Sequence, residues 1–374
     1  MMLPLYKTAE PHKTNESNVG LWFERFFNQF NEDASDILKP TRENPNQGNN
    51  IWLQKFETAG NTDALQTAAK QQLSLVNALN GKYKFFNTEW HFVTGTGYPH
   101  PVENGLLWHK TYGVPYLSGA AVKGLVRAWV EEWEYPAPEG ESDEEKETRK
   151  AKKRAHLLNW FGSEDKQSPS NQAGDIIFFD AFPVQAVKLK TDIMTPHYGD
   201  WYSEGGKIKD IATEPEKIPA DWHDPNPIPF LVVDSKTPYL FSVAPRNEEA
   251  KKRVNMDCVI CSLINALEWL GAGAKTATGY GGFVKQDNHP LEKQWKAANQ
   301  SFEDEIKDMT EKQLIDAFSK DYTATRKHYE QDWQQVIALI WQNHDHASRI
   351  ESWANADKNS NKAKAYKKLC EEQP

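Results

Sequence analysis

Gly271-Ala272-Gly273-Ala274-Lys275-Thr276-Ala277-Thr278-Gly279-Tyr280-Gly281-Gly282-Phe283 places five glycines and one lysine within thirteen residues. Glycine reaches φ > 0 without strain and lets a partner approach the bare backbone. Consecutive N–H groups in such a turn can form a concave anion site, which Lys275 would reinforce with a point charge. The residues before the loop read as a helix and those after it as a strand. A nucleotide-binding P-loop needs strand, loop, then helix, with glycine directly before its Lys-Thr pair. Here Ala274 precedes Lys275 and the order of elements is reversed. The P-loop reading fails.

Working back from the loop, Asn247 caps a helix that Gly271 terminates, with Glu248 and Glu249 in its first turn. Its buried stripe is Met256, Ile260, Leu263, Ile264, Leu267 and Leu270. Cys258 and Cys261 fall in this helix as C-x-x-C, which could be a redox or metal pair. No second C-x-x-C or His pair at zinc spacing accompanies them, so small buried helix residues are the better account. The strand from Gly279 to Lys285 follows the loop. Two strand candidates, Ile228 to Val233 and Tyr239 to Ala244, precede the helix. Earlier, Asp175 to Val184 carries an unbroken Ile-Ile-Phe-Phe, as in a strand buried on both faces, and Val187 to Ile193 continues it past Pro183. Lys82 to Thr94, aromatic and β-branched in partial alternation, is the first good strand.

Between those strands, Ser118 caps a helix whose apolar face is Val122, Leu125, Val126, Trp129, Val130 and Trp133. Lys123 and Arg127 lie four apart off that face and point the same way. Their bland account is a solvated surface with Glu131 pairing to Arg127. Gly119 and Gly124 each cost such a helix about 1 kcal/mol, and close backbone approach is the expected reason for both.

The order is therefore strand (82–94), helix (118–135), strand (175–193), strand (228–245), helix (248–270), strand (279–285). That is the βαββαβ order of an α+β, ferredoxin-like (RRM-like) core. Following the strand directions, connections 95–118, 194–228 and 271–279 share one end of the sheet. They hold His100, His109, Lys110, His197, Tyr198, Trp201, Tyr202 and Lys275. Unusual loops gathered at one end of a rigid scaffold are what a binding site looks like. No Ser-His-Asp or two-carboxylate set is among them. Residues 1–81 read as a helical N-terminal extension whose Trp22–Phe30 stripe is core packing, and 286–374 as a helical C-terminal extension. The latter carries an apolar patch at Trp333, Val336, Ile337, Leu339, Ile340 and Trp341. His344 and His346 share no helix face, which disfavours a metal site there. Within the core, 136–170 is an insertion whose charged part, Pro136 to Arg154, is expected to be mobile. A second insertion, 194–228, is too long for a simple turn.

The chain has 374 residues, a net charge of −9, fourteen tryptophans and three cysteines. Three cysteines cannot build a disulfide framework, and residues 1–18 lack the apolar core of a signal peptide, so a cytoplasmic location is expected. No apolar run reaches membrane-spanning length. The acidic balance counts against a free-standing, non-specific nucleic-acid binder, so any such contact must lie in a local basic groove.

A helix ending in Gly-x-Gly-x-Lys-Thr-x-x-Gly-Tyr-Gly-x-Phe, here Gly271 to Phe283, resembles the glycine loop of the RAMP superfamily of CRISPR effector proteins. Val114 to Arg127 resembles that superfamily's P-Y-I-P-G-S-S-x-K-G-x-x-R segment, with Leu117-Ser118-Gly119 where Pro-Gly-Ser is common. His100-Pro101-x-Glu103-Asn104-Gly105, Phe178-Phe179-Asp180-Ala181-x-Pro183 and Met194-x-Pro196-His197-Tyr198-Gly199 narrow the likeness to the sixth-subunit family of type III-B (Cmr) complexes. The resemblance covers roughly 82–285. It implies a non-catalytic subunit that holds the 3′ part of the guide RNA (crRNA), with target RNA a further candidate contact. The protein partners implied are a backbone RAMP subunit, the small helical subunit and another RAMP protein; no cofactor, metal or membrane is implied. Lys123 and Arg127 become guide-phosphate contacts beside Ser118 and Gly119. Gly271, Gly273, Lys275, Thr276, Gly279 and Tyr280 become a backbone cradle, with His100, His109 and Lys110 nearby. His197, Tyr198, Trp201 and Tyr202 sit where relatives carry a thumb-like hairpin, for base stacking or subunit contact. The rival is a guide-processing endoribonuclease of the same superfamily, with His100 or His109 as general acid or base. The leading reading requires Lys275 to stand beside Lys123 and Arg127.

Overall fold

The computed structural model describes residues 13–14, 16–31, 36–39, 48–163, 171–196, 198–208, 213–214, 217–220 and 227–299, with 364, 367, 368, 370 and 371. The apolar patch at 333–341, His344 and His346 lie outside them. Residues 1–289 form one compact unit and 290–374 a second. Helices α1 (Val19–Arg25), α2 (Asn49–Leu53) and α3 (Thr62–Ala78) and the short strand β1 (Thr58–Ala59) precede the central strand β2 (Lys82–Thr88). There follow α4 (Gly119–Trp133), α5 (Asp143–Phe161), β3 (Ile176–Phe178), β4 (Phe182–Pro183), β5 (Val187–Met194), α6 (Gly199–Glu204) and β6 (Ile228–Val233). The first unit ends with β7 (Pro238–Pro245), α7 (Glu248–Arg253), α8 (Met256–Trp269) and β8 (Phe283–Gln286), and α9 (Pro290–Asn299) opens the second.

The main sheet has the order β3-β7-β2-β8, antiparallel throughout, with β4 also paired to β7. β7 is buried at every position. Gln72 of α3 reaches Ser242 Oγ at 2.7 Å, and α8 packs across β2, β7 and β8. Tyr239, buried, donates its hydroxyl to the Pro115 carbonyl at 2.9 Å, which fastens the long 95–118 connection onto the sheet. Phe86, Phe241 and Phe283 meet edge-on from three neighbouring strands, a geometry that aromatic quadrupoles favour.

Several elements differ from the sequence reading, each for a local reason. The strand expected over 175–193 is three pieces, because Asp180 turns out of the ladder and its carboxylate accepts the Gly119 N–H at 2.6 Å. β3 is an edge strand with Ile177 and Phe178 only half-buried, so its apolar run is not covered on both faces. The expected 228–245 strand splits at a turn where Lys236 has φ +59°. β7 joins the main sheet, whereas β6 pairs with β5 in a second, three-stranded sheet, β1-β5-β6. The helix expected over 248–270 breaks at Val254, and Asn255 starts it again by accepting the Asp257 N–H at 2.9 Å. The first strand ends at Thr88, and the last begins only at Phe283.

The charged stretch expected to be mobile carries α5, started by a capping box in which Ser142 and Glu145 bond reciprocally. Tyr135 and Arg149 then tie it to its surroundings through His156 (2.7 Å) and Glu141 (2.7 Å). Its apolar end, Trp160 and Phe161, is buried. Gly119 does face close backbone at Phe178, but a Cβ at Gly124 would meet nothing within 4 Å, so close approach is not its reason. Trp133 is 60% exposed and leaves the apolar face early. Cys258 and Cys261 are exposed free thiols and not the small buried residues expected. Phe23 and Phe27 are buried, in keeping with a packing role for that stripe.

Candidate nucleic-acid interface

The glycine loop is stitched to the segment that follows β2. Ala274 N–H donates to Val93 O, Gly281 N–H to His91 O and Ala272 N–H to Gly281 O, each at 2.8 Å. Thr278, Gly279 and Tyr280 N–H groups also bond within the loop, to Lys275, Thr276 and Lys275 carbonyls. Of the six residues expected to form the cradle, Gly279 and Tyr280 therefore already spend their N–H groups inside the loop. The loop's cation is Lys275. That residue is left-handed (φ +61°), which turns its side chain onto the β5–β6 hairpin. Its Nζ lies 3.1 Å from Met194 Sδ and 5.5 Å from the Phe230 ring centroid. A thioether and a ring face hold an ammonium weakly, at about 0.5–1 kcal/mol for an exposed cation–π contact. Among the described residues no carboxylate pairs with Lys275.

The same joint contains a compact polar network. Tyr280 donates to Asp192 Oδ2 at 2.6 Å, and His91 Nδ1 stands 3.3 Å from that oxygen. Burial, then the hydrogen bond to Asp192 and its charge, push the Tyr280 phenol up to about 12. Burial would raise Asp192, but hydrogen bonds from Tyr280, the Ile193 N–H and His91 outweigh it and hold the carboxyl below its ordinary value. The network locks the hairpin and the glycine loop into one piece.

Lys123 and Arg127 stand elsewhere. Arg127 Nε pairs with Glu131 Oε1 at 2.8 Å, the bland partner expected for it, and Lys153 of α5 donates to the Glu131 carbonyl. Burial first, then the Arg246 and Arg127 charges, lower the Lys123 ammonium below its ordinary value. Arg246 directly follows β7, at the end where β7 pairs with the start of β2. The glycine loop lies beyond the other end, where Thr88 pairs with Phe283. β7 alone spans roughly 24 Å at about 3.4 Å per residue. The single seat expected for Lys275, Lys123 and Arg127 is therefore not formed; two cationic sites lie toward opposite ends of the sheet. The cause is the Leu117–Ala181 bridge and the Gly119–Phe178 contact, which start α4 partway down the sheet. Ser118 caps the helix through Ala121 N–H (3.3 Å), and Asp180 already sets a carboxylate at its N-terminus.

In the 95–118 connection His100 serves the fold, and Lys110 makes a surface ion pair. His100 stacks on Phe23 with centroids 4.1 Å apart, donates from Nε2 to Phe23 O (2.8 Å) and accepts Val102 N–H at Nδ1 (3.2 Å). Both ring nitrogens are occupied, and burial lowers its pKa, which leaves no free nitrogen for proton transfer or RNA. Lys110 Nζ pairs with Glu24 of α1 at 2.5 Å. His109 instead borders an open groove of about 430 Å³ with Gln72, Tyr112, Phe179, Asp180 and Phe182. The acid–base rival now depends on His109 alone. A titration tests the structural role of His100. Protonating His100 at Nδ1 would break the Val102 bond, so stability is full above the ordinary histidine pKa of about 6.5 and falls as pH drops below it. Thermal melts from pH 7.5 to 5.5 should show that fall, and His100→Gln should melt lower at pH 7.5 but with a shallower pH dependence.

At the hairpin tip, Tyr202 is 76% exposed on α6 and Trp201 is partly exposed; Tyr198 precedes the helix, and His197 lies outside the described residues. The sequence reading missed Arg246, whose proximity to Lys123 depends on the sheet register, and the exposed Trp90 just past β2. Among the described residues, no helix is long and apolar enough to cross a membrane, and no group of three or more His, Cys, Asp or Glu side chains could hold a metal ion.

The model of the RAMP superfamily matches residues 86–284. The CRISPR system Cmr subunit Cmr6 of Pyrococcus furiosus is 30% identical over 258 residues, which is 57% of this chain and 69% of that protein. Cmr6 of Saccharolobus solfataricus is 23% identical over 180 residues, 48% of this chain and 47% of that one. The crystal structure of Cmr6 from Pyrococcus furiosus aligns at 27% identity and a TM-score of 0.32, over 55% of this chain and 98% of that one. The chain therefore belongs to the RAMP superfamily and, within it, to the Cmr6 family of CRISPR Cmr subunits.

Proposed function

We propose that this chain is a non-catalytic, RNA-holding subunit of a type III-B Cmr effector ribonucleoprotein. It would seat the 3′ part of the guide RNA on a ferredoxin-like core, 82–285, flanked by extensions 1–81 and 286–374. The observation that carries the reading is Lys275, a cation seated on Met194 and Phe230, with no carboxylate partner among the described residues, at one end of a RAMP core. Lys123, Arg127 and Arg246 form a second cationic site for the same ribose-phosphate chain. Phosphate contacts position RNA without reading its bases, which suits a subunit that must accept any guide. The ferredoxin-like reading is supported by strand order: numbering the four core strands along the chain, the sheet runs second, third, first, fourth, all antiparallel. The β5–β6 hairpin is the thumb-like element, with Tyr198, Trp201 and Tyr202 at its tip for bases or a neighbouring subunit. A backbone RAMP subunit, the small helical subunit and another RAMP protein are the protein partners, in the cytoplasm, with target RNA a further contact. Native purification of the tagged chain tests this. A discrete short RNA should co-purify with several partner proteins and survive without cleavage. An assembly lacking RNA would favour a protein-only scaffold, and metal-independent cleavage of repeat RNA lost in His109→Ala would favour the nuclease.

A further inference from the structure

We infer that Trp90 is a base-stacking platform for single-stranded RNA, at one end of a ring cluster that leads to Lys275, an inference that rests on the RNA-holding reading above. Trp90 follows β2 and is 47% exposed, which leaves much of a large apolar ring in water. It is held in position while exposed. Its ring stacks on His91 with centroids 4.7 Å apart and planes 14° from parallel. His91 in turn is fixed between Asp192 (3.3 Å) and Asp234 (3.8 Å). Tyr280 stands 5.3 Å from Trp90 and 6.4 Å from His91, closing a triangle of rings, and is anchored by its bond to Asp192. Phe230 continues the row 6.0 Å beyond Tyr280, and the Lys275 ammonium sits over that ring.

The rings thus lead from an exposed, pre-oriented indole through Tyr280 and Phe230 to a cation that has no carboxylate partner among the described residues. That is the pairing of a stacking surface with a phosphate contact by which single strands are held without sequence preference. A duplex cannot use it, because paired bases are already stacked. A flat aromatic surface on a protein partner is the competing occupant, but the cation at the end of the ring cluster favours a polyanion with free bases, the nearby Asp192 and Asp234 being engaged by Tyr280, His91 and Lys190.

The test uses the purified full-length chain, a labelled single-stranded RNA of mixed sequence, and the same RNA with abasic sites. Trp90→Ala should lower affinity for the base-bearing RNA by about tenfold, leave the abasic RNA unaffected, and leave the salt dependence of binding unchanged. Trp90→Phe should restore most of the loss, and the melting temperature of both variants should match wild type. If Trp90→Ala binds both RNAs like wild type while Lys275→Ala binds more weakly, the stacking platform is wrong and the RNA-holding reading stands. If wild type binds neither RNA alone nor within its assembly, both fail. Loss of a protein neighbour from the Trp90→Ala assembly with RNA affinity intact would assign the ring to a subunit contact and overturn the inference.

Discussion

Gly281→Ala is expected to destabilise the first unit by about 3–5 kcal/mol, near the upper end for a single substitution. Gly281 has φ +72°, and a Cβ built there would fall far inside van der Waals contact of the Ala272 carbonyl oxygen. That oxygen cannot retreat cheaply, because Ala272 N–H donates to Gly281 O in the same tight pairing. The loop would have to open, releasing its bonds to His91 and Val93 and with them the seat of Lys275. Gly279→Ala is the control. It shares the left-handed backbone, at φ +93°, but nothing lies within 4 Å of the added methyl. Its cost is the backbone term alone, about 1–2 kcal/mol. Urea unfolding of the two variants side by side measures the difference. Equal midpoints would mean that the Ala272–Gly281 pairing is not what shapes the loop.

The contrast between those glycines also marks what the sequence could tell. Glycine density and the neighbouring lysine identified the loop, and the apolar periods identified α4, α8 and β2, because local patterns report local structure. Register is not local. Nothing in Leu117 or Ala181 announces that they pair, yet that bridge starts α4 partway down the sheet and separates Lys123 from Lys275. The same holds for His100: as a loop residue it looks available, but Phe23 of a distant helix binds it, whereas Lys110, paired with Glu24, stays largely exposed. The α5 insertion was hidden differently: its helix rests on a capping box and charge pairs, which composition alone reads as a solvated tract. Trp90 was passed over as one more strand aromatic, since exposure depends on where β2 stops.

Separation of the two cationic sites has a measurable consequence. Lys275→Ala and the double substitution Lys123→Ala/Arg127→Ala should each weaken guide-RNA binding, and their effects should add in free energy, because sites more than about 10 Å apart with no shared partner rarely couple. Each lost phosphate contact on a single strand should flatten the slope of log affinity against log salt by about 0.7. The triple variant is then expected to bind about a hundred- to a thousandfold more weakly at low salt, and the defect should shrink as salt rises. Removing Arg127 also takes from Glu131 the guanidinium that now lies 2.8 Å from its carboxylate, leaving that anion beside the proposed RNA path. Arg127→Lys, which retains the charge but loses the planar fork, should recover only part of the loss. Filter binding across a salt series, with circular dichroism to verify folding, decides the matter. Strong non-additivity would mean that the two sites act as one seat; unchanged RNA retention in the folded triple variant would remove the RNA path from both sites.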